Sequence, residues 1–363
     1  MAIVTNYIDL GGGTGTGTSG DPWGSMGEAY DEVVSAGSYG LNILEIQGSE
    51  TLSEAIDFAS STIPNGPVKW RGFESTPGDG GQATIDINGY PLHLDSYPNV
   101  FFESMHFKNA AGSDCSLTSG QRYRVDAYLC EFSDFNCSGE KLWYASTGVH
   151  GVYRCHFHDL DGIANRGDCY GCFFANDGTR EMELCANTWR ARGNIMAIDG
   201  ATDGFLVDGG GRWIGNSCFS DGGSGTGYEW TSADSIVEGN LVEGFSASGG
   251  VGFSATDHPH RPQLMIARNY AYNCATNFNT EIASNPNARG HVYVFDNETL
   301  DGSPFAKSGS ATSYANRRAF FEPQEDVLGK DAIMLQSAGA VQLIEAGGGS
   351  STIVTPGPFQ IGM

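Results

Sequence analysis

The sequence predicts an all-β chain folded as a parallel β-helix, a solenoid of short stacked strands. Three observations carry that expectation: a repeat of 25 residues, glycine clusters that read as tight turns, and the absence of any rival repeat signature. The repeat is clearest in "VFFESMHFKN" from Val100, "VDAYLCEFSD" from Val125 and "HGVYRCHFHD" from His150. Phe107, Phe132 and Phe157 fall in one column. Met105, Cys130 and Cys155 form a second column two residues earlier, as alternation along a strand requires for one inward face. Asn109, Asp134 and Asp159 close the three runs. Looser echoes follow in "YGCFFAND", "WIGNSCFSDGG", "SIVEGNLVEGF", "LMIARNYAYNC" and "VYVFDNETL", with spacings that drift as inserted loops vary.

The 52 glycines sit mostly in short clusters with Asn, Asp and Ser, the chemistry of turns between strands. A unit this short cannot bury an apolar face alone, so the units must stack. The Leu-x-x-Leu-x-Leu frame of leucine-rich repeats is absent, and propeller blades need periods above about 40 residues. The parallel β-helix remains.

The elements follow in chain order. Residues 1–82 form an N-terminal cap and first coils, 83–300 the regular coils, and 301–363 a non-repetitive C-terminal cap or attachment segment ending in a glycine-rich tail. In "SMGEAYDEVVSAG", Met26, Ala29, Tyr30, Val33 and Val34 keep helical spacing behind Ser25 as N-cap. This helix is expected to cover the open edge of the first coil.

Composition narrows function. Forty-three acidic against 19 basic residues give a net charge of −24, a field that repels phosphate backbones and excludes nucleic acid as a partner. The same carboxylates suit a hard cation, so Ca2+ is the candidate ion, with no cofactor required. No stretch approaches the roughly 18 apolar residues of a membrane helix, so no membrane partner is expected. "MAIVTNYIDLGGG" has neither the basic nor the apolar region of a signal peptide. Nine cysteines, an odd and scattered set, read as reduced buried thiols. Cys169 and Cys172 make a lone C-x-x-C, where a zinc site would want a second pair. Gly15, Gly17 and Gly20 match a dinucleotide fingerprint formally, but Asp21-Pro22 follows where a helix should open.

The runs "YIDLGGGTGTGTSGDPWGS", "VKWRGFESTPGDGGQATIDINGYPLHL" and "NVFFESMHFKN" resemble the opening of right-handed parallel β-helix proteins of the pectate-lyase-like superfamily. The resemblance extends over about 300 residues and implies the right-handed fold rather than one activity, because that superfamily spans lyases, hydrolases and phage tailspikes. It points to a virion-associated structural or receptor- and glycan-recognising protein of tailspike, fibre or head-decoration type. Such a protein is made in the host cytoplasm, partners polysaccharide or virion proteins, and by resemblance is a homotrimer. The alternative is a secreted polysaccharide lyase or glycoside hydrolase acting on an acidic polysaccharide.

Several clusters could carry chemistry. With Phe157 inward, His156 and His158 face outward, and one repeat back His156 lies over Glu131, which lies over His106. A carboxylate between two imidazoles can orient them, raise their pKa or hold a metal, and here the column is expected to bind substrate. Asp134 and Asp159, with Asp161 nearby, make a carboxylate ladder suited to calcium. Polar ladders at coil turns are also routine structural features. The loop "SATDHPHRPQ" resembles the Trp-Ile-Asp-His segment of pectate lyases, with Ala255-Thr256 in place of Trp-Ile. By that resemblance Asp257, His258 and Arg261 are the catalytic candidates. Asn279 to Glu281 is near the Asn-Thr-Asp of polygalacturonases, whose companion motifs are missing. Asp199 and Asp203, and then Glu229, Trp230 and Asp234, offer acids and an aromatic platform for a sugar ring.

Overall fold

A computed structural model describes residues 3–35, 41–54, 56–57, 67–90, 92–93, 100–109, 125–136, 150–161, 167–176, 190–198, 203–207, 211–230, 235–255, 263–279, 291–295, 297–299, 332–337 and 340–345. At some element ends, Asp161 and Trp230 among them, only the backbone is described. Short strands pair in parallel from coil to coil, and the chain is a parallel β-solenoid.

Its first sheet climbs from Ile3–Leu10 through Leu41–Thr51, Val68–Gly72, Val100–Glu103, Val125–Tyr128, His150–Tyr153, Gly167–Tyr170, Arg190–Arg192, Gly211–Ile214, Ser235–Glu238 and Gln263–Ala267 to His291–Phe295. A second sheet takes over where Leu41–Thr51 bends into it, and runs from Ala83–Asp86 through Met105–Lys108, Glu131–Asn136, His156–Asp161 and Phe173–Asn176 to Glu298–Thr299. Joined at that bend, the two count as one 22-stranded sheet. A third, 4-stranded sheet closes the later coils through Phe205–Val207, Thr226–Trp230, Val251–Ala255 and Thr276–Asn279.

The register matches the repeat. Phe132 pairs with Phe107 below and Phe157 above, and Phe174 continues the column although it follows Phe157 by only 17 residues. The rings stack at centroid separations of 5.6, 4.7 and 4.8 Å, all fully buried. The third sheet has its own stack, Phe205, Tyr228, Phe253 and Phe278, at 4.9, 5.0 and 4.9 Å. Each buried ring contributes on the order of 2–3 kcal/mol by removing apolar surface from water, and stacked pairs add a little more.

The corner between the first and second sheets is set by one backbone conformation. Ser104, Leu129, Arg154, Gly171, Gly193, Gly215, Gly239 and Arg268 all adopt positive φ between 53° and 64°. That conformation turns the chain sharply, and glycine takes it without strain. The residue that follows each of them points inward: Met105, Cys130, Cys155 and Cys172 in the earlier coils, then Asn194, Asn216, Asn240 and Asn269. The asparagines form a ladder that, among the described residues, reaches Asn297. Each Nδ2 donates to the next Oδ1 at 2.9–3.0 Å and to a strand carbonyl, while the same Oδ1 accepts the previous backbone N–H. Cys172 N–H donates to Asn194 Oδ1 at 2.9 Å, joining the thiol column to the amide column. Cys130, Cys155, Cys169, Cys172, Cys218 and Cys274 are free and buried, in keeping with reduced core thiols.

The helix lies at Met26–Ser35 with Met26, Ala29, Tyr30 and Val33 buried, and Ser25 Oγ accepts from Glu28 N–H at 3.1 Å as its N-cap. It shares the edge-covering task. The outer edge of Ile3–Leu10 is met directly by the loop that follows it: Tyr7 N–H donates to Gly17 O, Trp23 N–H to Tyr7 O and Asp9 N–H to Trp23 O. Backbone pairing satisfies that edge more completely than a helix face could. At the other end, Ala332–Ser337 and Ala340–Glu345 form an antiparallel hairpin that, among the described residues, joins no coil. Among those residues no helix is long and apolar enough to cross a membrane.

Replacing Asn216 by Ala strands the N–H groups of Asn194 and the carbonyl of Ala191 in a buried corner. The expected cost is about 2–4 kcal/mol, read from urea denaturation, because each orphaned buried group forfeits about 1–3 kcal/mol. A loss below about 0.5 kcal/mol would show that the ladder is not a stabilising element.

Candidate functional site

The outward face of the second sheet gathers the histidines. Its coils place His106 beside Glu131 and Glu131 beside His156, so the column expected from the repeat exists in that register. Two residues along each strand a second outward column holds Lys108, Ser133 and His158. Phe107, Phe132 and Phe157 lie inward between them and anchor both columns to the core.

His158 is the centre of the cluster. Its Nδ1 lies 2.7 Å from Asp159 Oδ2 and its Nε2 lies 3.0 Å from Glu131 Oε1. Both carboxylates accept, so both ring nitrogens donate and the ring is an imidazolium. Partial burial works against that charge, but the bonds to Asp159 and Glu131 outweigh it and raise the His158 pKa. Glu131 is also half-buried, which acts to raise it. The hydrogen bond from His158 and the imidazoles of His106 and His156 outweigh burial, so Glu131 stays ionised below the usual carboxylate range. His156 and His106 go the other way. Burial lowers both, helped at His156 by the charge on His158, so each favours the neutral ring. The His156 ring lies 4.7 Å from that of His158 and 5.2 Å from exposed Phe173. His106 Nε2 donates to Ser133 Oγ at 2.9 Å, and Ser133 donates in turn to Asp134 Oδ2 at 3.1 Å.

Asp134 and Asp159 face each other on adjacent strands, between the pairs Ser133–His158 and Phe135–Leu160. Both have positive φ, 56° and 54°, as does Asn109 at 58°, which places an Asx residue in that conformation in three successive coils. Their carboxylates turn to Ser133 and His158. Asp161 pairs with Asn136 through its backbone, and its side chain lies outside the described residues. Among the described residues, the group whose ligand atoms converge within 4.8 Å of one another is Glu131, His156 and His158.

The remaining candidates lie elsewhere. Asp257, His258 and Arg261 fall in 256–262, outside the described residues, as do Asp199, Asp234 and Glu281. Glu229 stands on the third sheet between Leu206 and Ser254, its pKa raised by burial and by Asp203. Trp230 pairs with Val207 and Ala255 through its backbone, and its side chain is not among those described. Asp203 accepts Thr226 N–H at 2.6 Å.

A second feature escaped the sequence reading. Tyr128, Tyr153 and Tyr170 are in register on the outward face of the first sheet, followed by Arg192. Asp126, Gly151, Asp168, Arg190 and Arg212 form the adjacent column. Tyr153 and Tyr170 stack at 5.6 Å and 5° between planes. Tyr153 lies across Gly151, where a Cβ would come within 2.3 Å of its hydroxyl. The signal was present as a recurring Tyr-x-Cys: Tyr128 to Cys130, Tyr153 to Cys155 and Tyr170 to Cys172. Ser133 and His158 were equally legible as a 25-residue pair.

The fold and this cluster define a parallel β-solenoid with an imidazole–carboxylate site on one sheet. Beyond that class the comparisons are silent: no family model, curated protein or solved structure matches the chain.

A histidine whose folded pKa is raised contributes stability fully below its unfolded pKa, near 6.5, and loses it as pH rises through the folded value. Histidine NMR in buffer containing EDTA should therefore show His158 titrating last, above His106 and His156. Asp159→Asn should move His158 downward. If His158 titrated below His156 in the unaltered protein, the hydrogen-bond assignment would be wrong.

Proposed function

We propose that the protein is a glycan-recognising β-solenoid of the kind that virion tailspikes, fibres and head decorations exemplify, and that it takes an acidic polysaccharide along the tyrosine–arginine face. One observation carries the reading. Arg190 and Arg212, both exposed, stand directly opposite on adjacent strands, with exposed Arg192 one outward position along. Asp168 and Tyr170 partner Arg190 from the preceding coil, and a bound anion would offset the remaining like charge of Arg212 and Arg192. The stacked Tyr153 and Tyr170 lie beside them and offer flat apolar surface to a sugar ring. Guanidinium forks pair carboxylates bidentately, which suits a uronate or another acidic sugar. The surrounding net charge of −24 repels polyanions, so binding needs this local patch and weakens with salt.

The hairpin Ala332–Ser337 with Ala340–Glu345, which among the described residues pairs with no coil strand, supports a role in attachment to other virion proteins. A homotrimer, visible in light scattering as three times 38.5 kDa, belongs to the same reading.

Calorimetric titration with an acidic and a neutral polysaccharide tests it. The acidic polymer should bind, and Arg190→Ala with Arg212→Ala should weaken it about 10-fold or more, since a charge-assisted bond is worth about 1.5–3 kcal/mol. Gly151→Ala should also weaken binding by displacing Tyr153. Equal affinity for neutral polymer, or variants that bind normally, would overturn the reading.

A second reading, a lyase or hydrolase of the same polymer class, is favoured by neutral His156 beside ionised Glu131, a base next to a carboxylate. Unsaturated uronates or new reducing ends that disappear in His156→Ala would establish it.

A further inference from the structure

The geometry points to a transition-metal site of the zinc class on the second sheet, with Glu131, His156 and His158 as ligands and a fourth position open to solvent. This site stands apart from the tyrosine–arginine face and does not depend on what that face binds.

The convergence of the three groups follows from the fold. His156 and His158 are alternate residues of one strand, so both project from the same face, and the neighbouring strand places Glu131 against them. Their ligand atoms lie within 4.8 Å of one another. A tetrahedron built on bonds of about 2.0–2.1 Å needs ligand atoms about 3.3–3.4 Å apart. His158 Nε2 and Glu131 Oε1, at 3.0 Å, already sit near one such edge. The part-exposed His156 ring, centred 4.7 Å from that of His158, completes the three-ligand set.

The orientation of His158 is the second argument. Metal-bound histidines usually donate their other ring nitrogen to a carboxylate, which fixes the tautomer and strengthens the ligand. His158 has that partner: Nδ1 lies 2.7 Å from Asp159 Oδ2, and Nε2 faces the cluster. In the metal-free chain a proton bridges Nε2 and Glu131; a cation would take its place and release it. Among the described residues no hydrogen bond occupies either nitrogen of His156, whose ring is flanked instead by Phe173. Ser133 and Asp134, by contrast, engage His106, which borders the site with its Nε2 at 3.8 Å from Glu131 Oε1.

The donor set selects the metal. Two imidazoles with one carboxylate suit zinc and its first-row neighbours, whereas calcium prefers six to eight oxygens. Three protein ligands with an exposed fourth position are the pattern of metals that keep a water or take a substrate atom. Lys108, in register with Ser133 on the same face, is drawn to Asp86 at 3.9 Å.

The test uses full-length protein stripped with a chelator and titrated with Zn2+ against a chromophoric competitor. One equivalent should bind per chain, and Co2+ in its place should give the intense visible bands of four-coordinate cobalt. His158→Ala and His156→Ala should each weaken Zn2+ at least 100-fold, and Asp159→Asn 10- to 100-fold. Glu131→Gln, nearly isosteric, guards against a folding artefact: it should lose Zn2+ affinity while keeping the circular dichroism of the unaltered chain. Excess Ca2+ should leave Zn2+ in place. Sub-stoichiometric binding, variants with unchanged affinity, or displacement by Ca2+ would each overturn the assignment.

Discussion

The parallel register between successive coils is the constraint on which everything else in this molecule depends. Backbone hydrogen bonds hold each strand about 4.8 Å from the next, so every side chain meets the residue at its own position one coil away. A column must therefore be compatible with itself. Phenylalanine on phenylalanine meets that condition by stacking, and asparagine on asparagine by passing a hydrogen bond along the axis. A histidine, glutamate, histidine column meets it by setting a carboxylate between two imidazoles, with His158 of the adjacent column bonded to Glu131. Arginine on arginine does not meet it alone, and in the same column Asp168 lies against Arg190 as a counter-charge.

The corner shows how one local requirement organises a column. The residue at positive φ turns the chain between sheets, and the next residue is aimed at the core with its backbone groups crowded against the neighbouring coils. An apolar thiol or thioether fills that position in the earlier coils. An amide fills it later, where both hydrogens and the oxygen find partners, so burial carries no desolvation penalty. The two solutions meet at Cys172 and Asn194 without breaking the register.

Outside, the same stacking concentrates charge. The chain is strongly acidic, yet the second sheet aligns three imidazoles with Glu131 and Asp159, and the first aligns three guanidinium groups with stacked tyrosines. Within the histidine cluster, position along the face separates the protonation states. His158 lies between two carboxylates, which raise its pKa, while burial and the neighbouring His158 lower that of His156. Two imidazoles one residue apart from Phe157 thus serve different roles, a donor and a ligand or base.

By itself the sequence determined the class of fold, the Phe107–Phe132–Phe157 column and the alignment of His106, Glu131 and His156. Where coil length stays at 25 residues, spacing in the chain equals position in space. It also carried the Tyr-x-Cys and Gly/Arg-Asn recurrences, although variable loops hide the Asn194 to Asn297 ladder behind gaps of 22, 24, 29 and 28 residues. Tertiary structure alone decided that Asp159 turns to His158 rather than to Asp134, that Tyr153 folds over Gly151, and that Arg190 meets Arg212. Those outcomes depend on side-chain rotation and on which residues the loops bring into register, and neither has a fixed period along a chain.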